Sequence, residues 1–450
     1  MGLDNIEKKS LGYSLLWNTM RAWHNIVYYR KYTVIGTENI PNDKLLIFTP
    51  NHQNALMDAL ALLFSTKIQF VFLARADIFK KPAIARILYF LKILPIYRVR
   101  DGYDSVEKSN KVFERTVDIM TAGSAMVILP EGNHSRIRRL RPLKKGFARM
   151  AFKTQEANDF KLDIQVVPVG IDYDDFSKYR SSLVIKFGTP VSVLDFVDLY
   201  QENKAQALND IKEELSRNMA PLIPNIRSEE YYDLYNELRV IFRSRMAAKL
   251  AIDYKDERNR VKTDQHTIQK IADFEKKSPN EITVLSEKVA SYTQLKKSLG
   301  LTNSIIDKKG HCFFSVLLGT ISLLGTLPLF VYGLIVNIIP YSLPIFAGNK
   351  MPDEQFRSSV KFVLSALLFP IMYILQSLIV LGVTRDWATT GIFLLSLPLS
   401  GIISWRWTRI YLWVKDSWTY KLMSISKNRK LTKLRSLYDD IILKADKITA

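Results

Sequence analysis

The pattern of apolar and polar positions changes character twice along the chain. Between Lys31 and Val193, short β-rich runs alternate with helical patterns, the mark of an α/β domain. Residues 45–49, 69–74, 125–129, 164–169 and 183–187 are apolar over most of their length, and each predicts a mostly buried strand. Between them, helical periodicity predicts helices over residues 55–65, 105–121 and 145–153. From Val193 to about Gly310 the pattern turns polar and helical, and Ser228-Glu229-Glu230 marks a helix start before residues 231–250. No catalytic motif falls there, so this stretch reads as helical cover or a spacer.

The last third is apolar. Residues 310–349 contain no Asp, Glu, Lys or Arg. At about 1.5 Å per residue, such a run exceeds one crossing of a hydrocarbon core roughly 30 Å thick. Pro328 divides it, and residues 362–384 and 387–405 are further charge-free runs of spanning length, separated by Arg385-Asp386. The positive-inside rule favours four crossings over three. Four place Lys308, Lys309, Lys350, Arg357, Lys361, Arg406 and the basic tail on one, cytoplasmic, side; a re-entrant hairpin serves the same arrangement. The expected organisation is an N-terminal amphipathic helix over 1–30, a catalytic domain over 31–195, a helical extension over 196–309, a membrane domain over 310–415 and a basic tail over 416–450.

Composition supports a membrane setting. The 450 residues are 48% hydrophobic, and 64 Lys and Arg against 44 Asp and Glu leave a formal charge of +20. The partner is then anionic, and basic segments beside apolar runs favour phospholipid headgroups over nucleic acid, for which no zinc-finger or RNP-like spacing exists. The single cysteine, Cys312, excludes a disulfide framework, a multi-cysteine zinc site and Cys-x-x-Cys redox chemistry. Near the N-terminus Asn18, Arg21, His24 and Asn25 interrupt the apolar positions, against a signal peptide. Trp17, Met20, Trp23 and Val27 recur at helical spacing, which fits an interfacial helix and fits equally an ordinary helix packed on the catalytic domain.

Three segments carry candidate chemistry. In Pro50-Asn51-His52-Gln53-Asn54-Ala55-Leu56-Met57-Asp58, a strand runs into a loop and then a helix. Residues six apart on a continuous helix point about 240° apart, so His52 and Asp58 meet only through a turn. Pro50 disfavours helix before it, which places His52 in the loop and Asp58 in the helix. An imidazole can then take a proton from an alcohol while a carboxylate orients its other nitrogen; a structural histidine capping a helix fits the same residues. Leu129-Pro130-Glu131-Gly132-Asn133-His134-Ser135-Arg136, followed by a cation-rich run through Lys145 to Gly146, suits an anion such as phosphate, or is a solvated basic loop. Leu94-Pro95-Ile96-Tyr97-Arg98-Val99-Arg100 reads as a strand with Arg98 and Arg100 on one face, for an anion or for surface ion pairs.

Taken in order, these segments resemble the signature blocks of the glycerol-phosphate and lysophosphatidate acyltransferase superfamily. His52 with Asp58 resembles its histidine-aspartate block, residues 93–100 its arginine block, residues 129–135 its proline-glutamate-glycine block and Val166-Val167-Pro168-Val169-Gly170 its closing block. Two departures stand out: five residues rather than four separate His52 from Asp58, and Asn133-His134 replaces the usual Thr-Arg. Both resemble the fungal-type branch that acylates glycerol 3-phosphate or dihydroxyacetone phosphate.

The resemblance implies an α/β domain with a central, largely parallel or mixed sheet flanked by helices. Its activity would be O-acyl transfer in phospholipid biosynthesis, with His52 as general base and Asp58 as its partner. Arg98, Arg100, Glu131, Gly132, His134, Ser135, Arg136 and Lys145 would surround the acceptor phosphate. No cofactor or metal is implied. The co-substrate is an acyl thioester of coenzyme A or acyl carrier protein, the acceptor glycerol 3-phosphate or, alternatively, lysophosphatidate or another lysophospholipid. A reading from another class is a non-catalytic lipid-binding scaffold.

Overall fold

The computed structural model describes residues 6–8, 10–96 and 115–449. The chain forms two compact units, the first comprising Met1–Asn225, Lys255–Gln265 and Met351–Ser359, the second Ile226–Tyr254, His266–Lys350 and Val360–Ala450. This is not the linear division expected from the sequence: two distant segments join the unit that holds residues 1–225. Arg260 shows how one of them is held. Its guanidinium donates to the Asp172 carboxylate and, at 2.9 Å, to the Asp172 carbonyl.

The first unit is built on one mixed sheet. Its strands are β1 (Lys31–Ile35), β2 (Leu45–Pro50), β3 (Phe70–Arg75), β4 (Ile93–Ile96), β5 (Ala125–Val127), β6 (Ile164–Tyr173), β7 (Ser182–Phe187) and β8 (Val191–Ser192). The order across the sheet is β1-β7-β6-β2-β5-β3-β4, with β8 also paired to β6. The pairs of β2 with β5 and β6, of β3 with β4 and β5, and of β1 with β7 are parallel; β7 and β8 run antiparallel to β6. Central parallel strands are covered on both faces, which is why β2 and β6 are apolar almost without a break. Ile47, Val71, Met126 and Val166 pack with Phe147 and Phe152 of the helix Gly146–Glu156 and with Ile211 and Leu215 of the helix Lys204–Met219.

All five strands expected from apolar runs are present. The additional strands lie where that signal is weakest. β1 is an edge strand, only partly buried, and β8 has two residues. β4 covers the start of the arginine-bearing segment, whereas Arg98 and Arg100 lie outside the described residues. Helix α1 (Leu11–Ala22) and the π-helical turn Trp23–Tyr28 precede the sheet, and α2 (Leu56–Leu63) follows β2.

The second unit is helical among its described residues. Tyr232–Lys249, Pro279–Ser298 and Arg429–Thr449 share a core that includes Phe242, Ile282, Tyr292, Leu434 and Tyr438. Three helices, Leu327–Asn349, Glu354–Thr384 and Trp387–Ile425, are long and apolar enough to cross a membrane. The chain does break near Pro328, but the piece before it, Phe313–Gly325, has 13 residues. At 1.5 Å each that is about 20 Å, short of a roughly 30 Å core, so three helices rather than the favoured four meet the length. Polar groups on these helices bond to one another: Asn337 donates to Ser400 Oγ at 3.1 Å and accepts from Tyr373 Oη at 2.7 Å. In hydrocarbon such groups have no water to turn to.

His24 is fully buried among the rings of Tyr29, Tyr32 and Phe64. Burial lowers its imidazole from 6.5 to about 4, partly opposed by the hydrogen bond with Asn25. The unfolded chain therefore takes a proton near pH 6.5 that the folded chain refuses until about pH 4. The contribution to stability is complete above 6.5 and is lost as the pH falls towards 4, about 3 kcal/mol at 1.36 kcal/mol per unit. A His24→Phe protein should lose less stability than the wild type on acidification, in thermal unfolding measured across this window. Parallel acid limbs in the two proteins would contradict it.

Candidate active site

The site begins where β2 ends. Asn51 continues the pairing to β6 with its side chain, donating to the Ile171 carbonyl at 3.1 Å and accepting from the Ile171 amide at 2.6 Å. Its own amide reaches the Val169 carbonyl at 3.2 Å. The loop is thus fixed before His52 is reached. Ala55, just before α2, has φ 45° and ψ −125°, a left-handed geometry that an L-residue adopts only under strain. This is the turn that the spacing requires. It brings His52 Nδ1 to 2.8 Å from Asp58 Oδ2.

Asp58 lies in the first turn of α2 and is 0% exposed. A buried carboxylate is costly unless donors surround it, and four do. Oδ2 accepts from His52 and from the amides of Gln53 and Asn54, both at 2.7 Å, and Oδ1 accepts from Tyr173 Oη at 2.7 Å. The helix N-terminus adds a favourable field for negative charge. Burial first, then the Asp58 charge, pushes the Tyr173 phenol well above its ordinary value, which keeps it a donor. With Nδ1–H committed to Asp58, Nε2 of His52 carries the lone pair.

A second loop is tied to the same histidine. Beyond β5, Gly132 adopts φ 75°, a conformation open to glycine at little cost. The Ser135 amide donates to the His52 carbonyl at 3.2 Å, and Arg141 Nη2 does so at 3.3 Å. Arg141 also binds Glu131 Oε2, with Nε at 2.9 Å, and the carbonyl and side chain of Asn133. Glu131 Oε1 is buried with no hydrogen-bond partner. Burial raises the Glu131 carboxyl above its usual value, and Arg141 opposes the rise.

The structure brings most of the expected residues together. The His134 ring stands edge-on to that of His52 with centroids 5.2 Å apart, and its Nδ1 is buried without a partner. Burial, then the His52 charge, lowers the His134 imidazole below its ordinary value, which favours its neutral form at neutral pH. Arg136 bonds Ser177, lies 5.4 Å from the Phe176 ring centre and sits 3.6 Å from Glu354. Lys145 stands apart: it precedes the helix Gly146–Glu156, and no described contact joins it to this group. Sequence reasoning missed Asn51, Arg141 and Tyr173. Arg141 looked like any other member of a cation run, and the contacts of Asn51 and Tyr173 with their partners span more than a hundred positions.

Among the described residues, the arrangement is an imidazole oriented by a buried carboxylate beside a polar loop. Residues 31–172, which contain His52, Asp58, Glu131, His134 and Arg141 but stop one residue short of Tyr173, match the family model described as Acyltransferase. The chain is 24% identical over 194 residues to the 1-acyl-sn-glycerol-3-phosphate acyltransferase of Borreliella burgdorferi, covering 42% of this chain and 72% of that protein. It is 22% identical over 200 residues to glycerol-3-phosphate O-acyltransferase 1 of Saccharomyces cerevisiae, covering 44% of this chain but only 25% of the yeast protein. Among solved structures, the 1-acyl-sn-glycerophosphate acyltransferase PlsC of Thermotoga maritima aligns with a TM-score of 0.33 and 18% identity, over 46% of this chain and 78% of that one. Residues 31–172 are thus a domain that matches the Acyltransferase family model, and the relatives it resembles are acyltransferases of glycerol 3-phosphate and of 1-acylglycerol 3-phosphate.

Proposed function

We propose that this chain transfers a fatty acyl group from an acyl thioester to a hydroxyl of glycerol 3-phosphate, or to the free primary hydroxyl of dihydroxyacetone phosphate, during phospholipid synthesis at a membrane. The observation that carries the proposal is the His52 and Asp58 pair, held at 2.8 Å with the carboxylate buried and surrounded by donors. His52 Nε2 takes the proton of the acceptor hydroxyl as its oxygen attacks the thioester carbonyl. The tetrahedral intermediate expels the thiolate, and the imidazolium returns the proton to that sulfur. Asp58 fixes the tautomer and stabilises the imidazolium between these steps, as in base-and-orienter pairs generally.

The acceptor phosphate is assigned to the cations and donors that follow Gly132. Arg136 offers a planar fork suited to phosphate oxygens, and His134 stands beside the base. The donor is a thioester of coenzyme A or of acyl carrier protein. The apolar helices and the charge of +20 support an anionic phospholipid surface as the working environment. With residues 310–349 forming a re-entrant hairpin, which keeps Lys308, Lys309, Lys350 and Arg357 on one side, the distribution of Lys and Arg supports the cytoplasmic side for the catalytic unit. Lysophosphatidate is the alternative acceptor, favoured by the similarity to the Borreliella burgdorferi protein over most of its length.

Removing the base tests the mechanism. His52→Ala should lower kcat by about 10²–10⁴, the usual range for a general base, with the melting temperature little changed. Retention of full transfer would remove His52 from the reaction. Tyr173→Phe deletes one donor to the Asp58 carboxylate, worth about 1.5–3 kcal/mol, and should lower kcat/KM roughly tenfold or more without altering the thioester KM. Purified protein with a labelled acyl thioester decides the acceptor: rapid product with lysophosphatidate and none with glycerol 3-phosphate would replace the preferred acceptor by the alternative.

A further inference from the structure

The segment Met351–Ser359 follows the apolar helix Leu327–Asn349 and includes the start of the apolar helix Glu354–Thr384, yet it belongs to the catalytic unit. It is pinned there at both strands of contact. Ser358 Oγ donates to the Phe176 carbonyl, and Tyr28 Oη donates to the Ser358 carbonyl at 3.1 Å. The pinned connector reaches the active-site row directly: the Phe356 ring stands edge-on to His134 with centroids 5.0 Å apart, and His134 stands in the same way against His52.

The charges on either side of this row form an unusual group. Glu354 accepts from Arg357 Nη1 at 2.7 Å, while Arg136 Nη1 lies 3.6 Å from its other oxygen, beyond a normal hydrogen bond. Two guanidiniums thus share the Glu354 carboxylate, and the Asp175 charge also acts on Arg136. Each of them also keeps a buried Nε with no hydrogen-bond partner. The Glu354 side chain is 60% exposed, against 17% for Arg136 and 30% for Arg357, so the anion is the loosely held member and the cations are the fixed ones. An exposed carboxylate in water is weakly retained by such a pair. A phosphate, with more acceptor oxygens and more charge, satisfies both forks better.

We infer that the connector completes the acceptor site: Arg357 acts with Arg136 as the cation pair for the acceptor phosphate, and Glu354 occupies the place between them until phosphate displaces it. The inference rests on the proposed acyl transfer to a phosphate-bearing alcohol and names a substrate-binding residue for it far outside residues 31–172.

The full-length protein in detergent or nanodiscs, with acceptor and thioester varied separately, tests it. Arg357→Ala should raise the KM for glycerol 3-phosphate about tenfold or more, with the thioester KM unchanged, and Arg357→Lys should recover part of the loss because it restores charge without the fork. Glu354→Gln should act in the opposite direction, lowering the acceptor KM by about threefold, since the competing carboxylate is gone. Glycerol 3-phosphate should also raise the melting temperature of the wild type more than that of Arg357→Ala, a readout independent of turnover. If Arg357→Ala leaves the acceptor KM unaltered in an active enzyme, the assignment of Arg357 fails and the acyltransferase reading stands. If Arg357→Ala and Glu354→Gln lose activity alike, with both KM values rising, the pair is only a structural tie and the inference is overturned. If the wild type transfers acyl groups to no phosphate-bearing acceptor, the proposed function falls and this inference with it.

Discussion

The sheet-bearing unit depends on one buried carboxylate. Asp58 sits at the start of α2 with no exposure to water, and each of its oxygens is bound by groups from different parts of the chain. Removing a charge from water without such partners costs far more than a domain's net stability. The loop at Gln53 and Asn54, the ring of His52 and the hydroxyl of Tyr173 therefore have to arrive together. β2 delivers the first two and β6 delivers the third, and these strands are parallel neighbours from Leu45 to Pro50. The sheet order is what makes the site possible, because only adjacent strands could bring Tyr173 to the helix that follows β2.

Arginines extend this logic outwards. Arg141 joins Glu131, Asn133 and the His52 carbonyl, so the second loop cannot move without disturbing the first. Arg138 and Arg260 both bind the Asp172 carboxylate, one residue before Tyr173. A guanidinium's fixed fork suits several acceptors at once, and these residues use it to tie loops and a distant helix to the end of β6. Their role is positional. Arg136 differs from them, since it has one buried donor left over and a loosely held partner.

Much of this was legible in the sequence, for reasons that also explain what was not. Buried parallel strands carry long apolar runs, so β2, β3, β5, β6 and β7 could be recognised from local composition. The edge strand β1 is half-exposed and left no such mark. His52, Asp58 and Glu131 stood out because they occur in short ordered motifs. Tyr173, Asn51 and Arg141 did not, since their significance lies in hydrogen bonds to residues distant in the chain or in a single favourable position within a run of like charges. The segment Met351–Ser359 was least legible of all: its Arg357 counted only towards the charge distribution around the apolar runs, and only the fold places it in the sheet-bearing unit.

The spacing between His52 and Asp58 takes on a different meaning once the turn is known. Five intervening residues had suggested a particular acceptor by resemblance. In the structure the length of this segment is absorbed at Ala55, whose left-handed backbone lets the chain double back so that imidazole and carboxylate meet at 2.8 Å. Under the proposed reaction, this pair performs the same proton transfer from either acceptor hydroxyl. Spacing is then a property of the turn. On that proposal, acceptor choice is made further out, around His134, Phe356, Arg136 and Arg357, because an acyl chain already on the acceptor, or its absence, changes what must fit against those side chains and leaves the proton transfer at His52 the same.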